Sequence, residues 1–225
     1  MVMPIELALE FFILVWKFMV SNMHLELMTI HLVVSLRLNH GNVLASSLGS
    51  QYSLELHVWT QSRKILSGRT LKLLSGSCYL PHPDKEETGG EDAHFICDEQ
   101  AIGVADGVGG WADLGVDAGK YARELMSNSV TTIQEEPKRS IEPARVLEKA
   151  YSSTKAKGSS TACIIALTDQ GLHAINLGDS GFVVVRDGCT NLRSPLQQHD
   201  FNFTYQLETG NGCDLPTSGQ NRWTF

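Results

Sequence analysis

The chain has 225 residues, enough for one large or two small domains, and its apolar fraction of 42% is sufficient for a buried core. The formal net charge is −7 and Lys and Arg are not clustered, which argues against nucleic acid as a main partner. The five cysteines, Cys78, Cys97, Cys163, Cys189 and Cys213, are widely spaced and odd in number. We therefore expect reduced cysteines in the core of an intracellular protein.

The N-terminal 38 residues are strongly apolar, and Phe11 to Trp16 form their densest run. Charged residues such as Glu6, Glu10 and Lys17 interrupt the segment, so no uncharged span reaches the roughly 20 residues of a membrane helix. This pattern argues against membrane association, and the segment has the charge pattern of neither a secretory signal nor a clear transit peptide. The remaining interpretations are an amphipathic surface anchor, a partner-binding helix, or coding sequence foreign to the domain that follows.

Two short apolar runs flank a polar turn near the middle of the chain. They predict adjacent strands at Ala93 to Cys97 and Ala101 to Ala105, joined by a turn at residues 98–100. Before them, Leu71 to Leu80 predicts a strand, and Leu54 to Val58 alternates in the same way.

Two amphipathic helices are predicted next. Apolar residues recur every three or four positions from about Asp117 to Gln134, which is typical of a helix with one buried face. A second helix begins near Glu142 with Pro143 in its first turn, where a missing amide is harmless, and runs to about Lys155. We expect both helices to cover a sheet.

Strands and turns follow the helices. Ser160 to Leu167 is apolar on both faces, as expected of a central strand, and Leu172 to Leu177 and Phe182 to Arg186 follow, with a further turn at Asp187-Gly188. One more alternating strand is predicted from Phe201 to Leu207. Successive hairpins indicate antiparallel pairing, and strands followed by helices and then strands indicate the α+β class.

Acidic residues lie at the ends of the central strand pair. Glu91-Asp92 precedes the first strand and Asp106 ends the second, so we expect three carboxylates at one sheet edge. Buried carboxylates repel one another unless a cation neutralises them. Oxygen ligands without a His or Cys pair at zinc spacing favour Mg²⁺ or Mn²⁺, and the Gly107 carbonyl is a further candidate ligand. Taken alone, however, Asp106-Gly107 is more typical of a simple hairpin turn.

Four motifs in order resemble those of the metal-dependent type 2C (PPM-type) serine/threonine protein phosphatases, in particular a plant and fungal subgroup that is often organellar. They are Glu91-Asp92, Asp106 to Trp111, Gly158 to Ala162 and Gly178 to Gly181, and the likeness covers about Leu73 to Gln220. The resemblance implies part of a four-layer sandwich, with two antiparallel β-sheets flanked by α-helices. We accordingly predict the N-terminal portion of a phosphatase domain at residues 71–225, with its C-terminal part missing. Residues 1–70 are predicted to be a non-family segment, and we favour foreign coding sequence because the resemblance begins only near Leu73.

In the family that the chain resembles, a metal-activated water attacks the phosphorus of phosphoserine or phosphothreonine. The resemblance implies that Asp106 and Asp92 are catalytic, that Asp106 bridges two Mg²⁺ or Mn²⁺ ions, and that Glu91, Asp92 and the Gly107 carbonyl complete the ligands. Asp179 would lie near a weakly held further ion. A phosphoprotein substrate is implied in the same way. An intracellular location is expected, and the subgroup includes chloroplast and mitochondrial members, although the chain has no clear transit peptide.

The motif Gly178-Asp179-Ser180-Gly181 has two other interpretations. Asp and Gly are typical of a hairpin turn, so Asp179 would then have only a structural role. The same four residues surround the nucleophile of trypsin-like proteases, but the sequence context of a His base for Ser180 is not found.

The chain also departs from the family pattern. Glu87 stands where many members have a phosphate-binding Arg, so Lys85 is the candidate phosphate-binding cation, and Val108 replaces a common His, as is usual in the subgroup. The family's two further metal-binding Asp residues have no counterpart, because Asp200 and Asp214 do not end apolar strands. We predict a metal-dependent serine/threonine phosphatase. The alternative is a truncated, catalytically silent phosphatase-like fragment that acts by binding.

Overall fold

The apolar and alternating runs of the sequence form strands around two helices. The computed structural model describes residues 11–17, 31–36, 73–79, 81, 83–186, 189–201, 203–215 and 222–224. The strands are β1 (Phe11–Lys17), β2 (His31–Leu36), β3 (Leu73–Cys78), β4 (Asp92–Cys97), β5 (Ala101–Gly107), β6 (Ser159–Thr168), β7 (Gly171–Leu177), β8 (Ser180–Arg186), β9 (Cys189–Arg193), β10 (Gln198–Asp200), β11 (Phe203–Thr204), β12 (Leu207–Glu208) and β13 (Arg222–Thr224). The helices are α1 (Ala118–Glu135) and α2 (Pro143–Ser153), and 3₁₀ turns cover Pro83–Thr88 and Gly109–Leu114.

The strands of the described residues pair in an antiparallel manner in two main sheets. One has the order β3-β2-β1-β8-β9, and the other has the order β13-β7-β6-β5-β4 with β12 added on β6. Strands β10 and β11 form a small separate hairpin. This arrangement confirms the predicted α+β class with antiparallel sheets.

Both helices begin at the residues that the sequence indicated. The side chain of Asp117 caps α1 by accepting a hydrogen bond from the amide of Lys120 at 3.1 Å. Glu142 precedes α2, with Pro143 in the first helical position, where its missing amide costs no helical hydrogen bond. Tyr121 and Leu125 of α1 are fully buried, so the predicted apolar face is the one that packs.

Two cores lie on opposite faces of the β13-β7-β6-β5-β4 sheet. The helix-side core contains Ala101 and Ala105 of β5 with Tyr121 and Leu125 of α1. The inter-sheet core lies between the two sheets and contains, among others, Leu73, Ile102, Val104, Cys163, Ile165, Phe182 and Val184. Successive residues of a strand point to opposite faces, so the even-numbered positions of β5 face the second sheet. The described residues thus form three layers: helices, one sheet and the other sheet.

The predicted strand from Phe201 to Leu207 is wrong as a single element. It is divided between the short strand β11 and the short strand β12, and only β12 pairs with β6. Phe201 and Phe203 are 80% and 55% exposed, whereas Leu207 is buried. Alternation alone does not show that the chain turns within an apolar pattern.

The prediction of five core cysteines is partly wrong. Among the described residues, Cys97 and Cys163 are buried and Cys189 and Cys213 are exposed, and all four are free thiols. Burial raises the pKa of the Cys163 thiol, which keeps it protonated at neutral pH.

The N-terminal apolar segment contributes strands to the fold. Strand β1 pairs with β8 along its whole length and with β2 on its other side, so a partner-binding helix is wrong for residues 11–17 and 31–36. None of the helices in the described part of the chain is long and apolar enough to cross a membrane. The predicted strand at Leu54 to Val58 and the predicted turn at Asp187-Gly188 lie outside the described residues. The division at residue 70 stays a prediction.

Candidate active site

Two of the predicted carboxylates lie side by side at one end of the inter-sheet core. Asp92 of β4 is the direct partner of Asp106 of β5, and Asp106 is the direct partner of Thr161 of β6. Directly paired residues share a face of the sheet, and this face is that of Ile102 and Val104 in the inter-sheet core. Asp106 is only 7% exposed. The prediction that the two acidic sites meet at a sheet edge is confirmed for this pair.

Glu91 is set apart from the other two carboxylates. Its side chain accepts a hydrogen bond and an ion pair from the Lys85 ammonium group, and its carbonyl oxygen accepts one from the Gly107 amide at 3.0 Å. Glu91 lies in the bend before β4, and its two carboxylate oxygens are 3.0 and 3.3 Å from the point that a Cβ atom on Gly109 would occupy. In the ranges that the structure covers, no group of three His, Cys, Asp or Glu residues is arranged to hold a metal ion. The structure therefore brings together two of the three expected carboxylates.

Gly107 is required by close packing of the backbone against α1. A Cβ atom at this position would lie 2.4 Å from the carbonyl oxygen of Ala118 and 2.9 Å from that of Glu91. The next residue, Val108, donates its amide to the carbonyl oxygen of Ser159 at 3.0 Å. These contacts hold the end of β5 between the first turn of α1 and the first residue of β6.

The Gly178-Asp179 turn carries the chain from one sheet to the other. It connects β7 of one sheet with β8 of the other, so the interpretation as a hairpin turn is wrong. Gly178 has a φ of 88°, and a Cβ atom there would lie 2.6 Å from the Thr161 Cγ2 atom. Because Thr161 is the partner of Asp106, Asp179 lies at the same end of the sheet as the carboxylate pair.

Several buried polar side chains form hydrogen bonds around this turn that the sequence does not predict. The side chain of Gln197, 8% exposed, accepts a hydrogen bond from the Gly178 amide at 2.9 Å and donates one to the Asn176 carbonyl oxygen at 3.1 Å. The hydroxyls of Thr161 and Ser180 are 2.6 Å apart. Ser180 is 2% exposed and bonded to a hydroxyl rather than to a His, which argues against its role as a protease-like nucleophile.

The loop after Asp106 is held by a second set of side chains that the sequence did not reveal. The indole of Trp111 donates a hydrogen bond to the Ser159 hydroxyl at 2.7 Å. The Ser159 hydroxyl in turn donates to the side-chain carbonyl of Gln206 at 2.5 Å. This chain of hydrogen bonds fixes the Gly109–Leu114 turn against the start of β6 and the segment before β12.

Tyr79 is a further residue near the carboxylate pair that sequence analysis missed. Its hydroxyl donates to the Gly89 carbonyl oxygen at 3.1 Å. Burial, reinforced by the Asp92 carboxylate, raises the pKa of the Tyr79 phenol to about 12. A tyrosine directly after a strand could have indicated this residue, but aromatic residues with a hydroxyl group are common at such positions.

We expect Tyr79→Phe to change the dependence of stability on alkaline pH. The phenol pKa is about 12 in the folded protein against 10.0 ordinarily, so the folded protein keeps a proton that the unfolded chain loses between those values. Wild-type stability therefore falls over this range, and the variant lacks this contribution to the decline. Urea denaturation of both proteins at about pH 9, 10 and 11 measures the difference. Parallel declines of the two proteins would contradict the shifted pKa.

The sequence and the fold of the chain are similar to those of known protein phosphatases. No family model matches the chain. A protein of Arabidopsis thaliana named "Probable protein phosphatase 2C 55" is 68% identical over 195 residues, which cover 85% of this chain and 42% of the relative. "Probable protein phosphatase 2C 80" from the same plant is 73% identical over 154 residues, covering 68% of this chain and 37% of the relative. The chain thus spans less than half the length of these two relatives.

Similarity extends beyond plants and to a solved structure. "Protein phosphatase PTC7 homolog fig" of Drosophila virilis is 41% identical over 156 residues, which cover 62% of this chain and 50% of that protein. The X-ray structure of the photosystem II phosphatase PBCP superimposes with a TM-score of 0.56 at 34% identity, covering 65% of this chain and 59% of that one. The shared fold, the ordered motifs and the high identity to these relatives show that the chain belongs to the type 2C family of protein phosphatases.

Proposed function

We propose that the protein hydrolyses phosphoserine and phosphothreonine residues of proteins with the help of Mg²⁺ or Mn²⁺. The observation that carries this proposal is the side-by-side placement of Asp92 and Asp106 at a sheet edge, in a chain of the type 2C family. Two relatives are named as protein phosphatases, which supports a phosphoprotein substrate.

The two carboxylates suit a hard divalent cation. Mg²⁺ in proteins is commonly held by one or two carboxylates, with water and substrate phosphate oxygens completing its shell. Asp106 is buried next to Asp92, and a cation between them would offset their mutual repulsion. We propose that these two residues hold the metal, with the Gly107 carbonyl as an additional ligand, that Glu91, which is paired with Lys85, acts through a metal-bound water, and that Asp179 contributes to a further ion. Family membership supports a pair of ions.

In the proposed mechanism the cation supplies the chemistry and the side chains position the cation. When bound, Mg²⁺ or Mn²⁺ lowers the pKa of the attacking water and neutralises the phosphoryl oxygens. Asp92 and Asp106 would hold the cation, and they lie at fixed positions because β5 is paired with β4 on one side and with β6 on the other. The packing of Gly107 against α1 keeps the ends of these strands from shifting.

Lys85 is the proposed phosphate-binding residue. Its ammonium group is paired with Glu91, and it lies 3.3 Å from the point that a Cβ atom on Gly109 would occupy. The Lys85 side chain is 36% exposed, so it reaches the mouth of the site next to the glycines that follow Asp106. A point charge there attracts a phosphoryl group without the two-pronged geometry of an Arg.

The direct test is phosphate release from a phosphothreonine peptide by the purified chain. We expect hydrolysis with Mn²⁺ or Mg²⁺ and a loss of at least about 100-fold when EDTA removes the metal. Addition of Mn²⁺ in excess over the EDTA, which should restore hydrolysis, serves as the control for effects of the chelator itself. Hydrolysis that resists EDTA would contradict the metal-dependent mechanism. Binding of the peptide and Mn²⁺ without turnover would instead favour a catalytically silent fragment that acts by binding.

A further inference from the structure

A buried pair of hydroxyl groups lies beside the proposed metal site without belonging to its ligands. The Oγ1 atom of Thr161 and the Oγ atom of Ser180 are 2.6 Å apart, and both residues are 2% exposed. Buried hydroxyls that are satisfied by one another are specific contacts, because loss of either partner leaves the other without that hydrogen bond.

This hydroxyl pair joins the two sheets. Thr161 lies on β6 of one sheet and Ser180 begins β8 of the other. Thr161 is also the direct partner of Asp106 across the β5–β6 ladder, and Ser180 directly follows Asp179. The hydrogen bond between Thr161 and Ser180 therefore connects β6, the strand that pairs with Asp106, to the residue that directly follows Asp179.

The same turn is held from its other side. Gln197 donates its backbone amide to the Gly178 carbonyl oxygen at 3.1 Å, and its side chain accepts from the Gly178 amide at 2.9 Å. The Thr161 methyl group also packs against Gly178, where a Cβ atom would lie 2.6 Å from the Thr161 Cγ2 atom. Asp179 is thus carried by a segment that is fixed at Gly178 and at Ser180, and the Ser180 contact depends on a strand that also pairs with Asp106.

We propose that Thr161 and Ser180 are positioning residues that hold the Asp179 segment in place relative to Asp106 and thereby strengthen divalent-cation binding. This inference rests on the proposed function. Groups that orient metal ligands without touching the metal typically contribute about 10-fold to 100-fold in metal affinity.

The test compares Thr161→Val, Ser180→Ala and the double variant with Thr161→Ser, which keeps the hydroxyl. Thr168→Val is the matched control, because Thr168 is a buried residue at the far end of the same strand whose hydroxyl donates to the Gly171 carbonyl oxygen. Titration calorimetry with Mn²⁺ gives the dissociation constant, and thermal unfolding without metal gives the stability.

We expect Thr161→Val and Ser180→Ala each to weaken Mn²⁺ binding by about tenfold, and the double variant to be no weaker than either single one. Thr161→Ser, which keeps the hydroxyl but loses the methyl contact with Gly178, should bind Mn²⁺ more tightly than Thr161→Val. Thr168→Val should lower the unfolding temperature without changing the dissociation constant. Changes in stability alone, with Mn²⁺ affinity unchanged in both Thr161→Val and Ser180→Ala, would overturn the inference.

Asp106→Asn separates this inference from the proposed function. If the wild type binds Mn²⁺, Asp106→Asn does not, and both hydroxyl variants bind normally, then only the positioning role is wrong. If the wild type binds no Mn²⁺, both the metal site and its positioning residues are refuted. Should Thr161→Val fail to fold, Ser180→Ala, which deletes a hydroxyl without putting a methyl group in its place, decides the outcome.

Discussion

Replacement of Asp106 by Asn should lower phosphopeptide hydrolysis by about 1,000-fold and remove measurable Mn²⁺ binding. The substitution keeps the shape of the side chain but removes one of the two adjacent carboxylate charges at the end of the inter-sheet core. A cation stabilises the transition state by several kcal/mol, and each 1.36 kcal/mol corresponds to a factor of ten in rate. Steady-state kinetics with Mn²⁺ and calorimetric titration give the two quantities.

Asp169→Asn is the matched control for this change. Asp169 follows the opposite end of β6, its side chain is 69% exposed, and it pairs with Arg139 at 3.3 Å. Loss of an exposed ion pair has little effect, so kcat/KM should stay within about twofold of wild type. Retention of more than about a tenth of the activity by Asp106→Asn would show that this carboxylate does not hold the catalytic metal.

The second large effect is expected for Gly107→Ala. The added Cβ atom would lie 2.4 Å and 2.6 Å from two backbone atoms of Ala118, so neither a rotamer change nor a side-chain shift relieves the overlap. Overpacking against backbone should cost about 3 kcal/mol in the free energy of unfolding. The displaced end of β5 would also weaken Mn²⁺ binding. Urea denaturation and calorimetry measure the two effects.

Gly110→Ala controls for the general effect of replacing a glycine in this loop. No heavy atom lies within 4 Å of the corresponding Cβ position, so stability should change by less than about 1 kcal/mol. Equal destabilisation by both substitutions would mean that the close approach of Gly107 to α1 is not what makes glycine necessary.

Local patterns were sufficient to predict much of the fold. The strand pair on either side of the 98–100 turn, both helices and the opposition of Asp92 and Asp106 follow from alternation, capping and turn residues within short segments. Alternation, capping and turn residues depend only on residues that are close together in the sequence. The elements that they predict are therefore found in the folded structure.

The remaining features depend on contacts between distant segments. The motif around Asp179 indicated a turn, but no local signal shows that β8 joins a different sheet from β7. The pairing of Glu91 with Lys85 likewise depends on the path of the intervening turn. The hydrogen bond between Thr161 and Ser180 forms only when both sheets are in place. In the sequence the two residues belong to separate motifs, and nothing indicates that they are in contact.

The connection between β4 and β5 bears on the order in which the site assembles during folding. Asp92 and Asp106 belong to one hairpin, so a short loop closure is enough to place them opposite each other. Asp179, by contrast, is separated from Asp106 along the chain by α1, α2, β6 and β7, and it leads into a strand of the other sheet. Contacts between distant residues form slowly because their loop-closure entropy is larger. A nascent chain would therefore acquire the carboxylate pair well before the rest of the site, and complete cation binding would mark the end of folding.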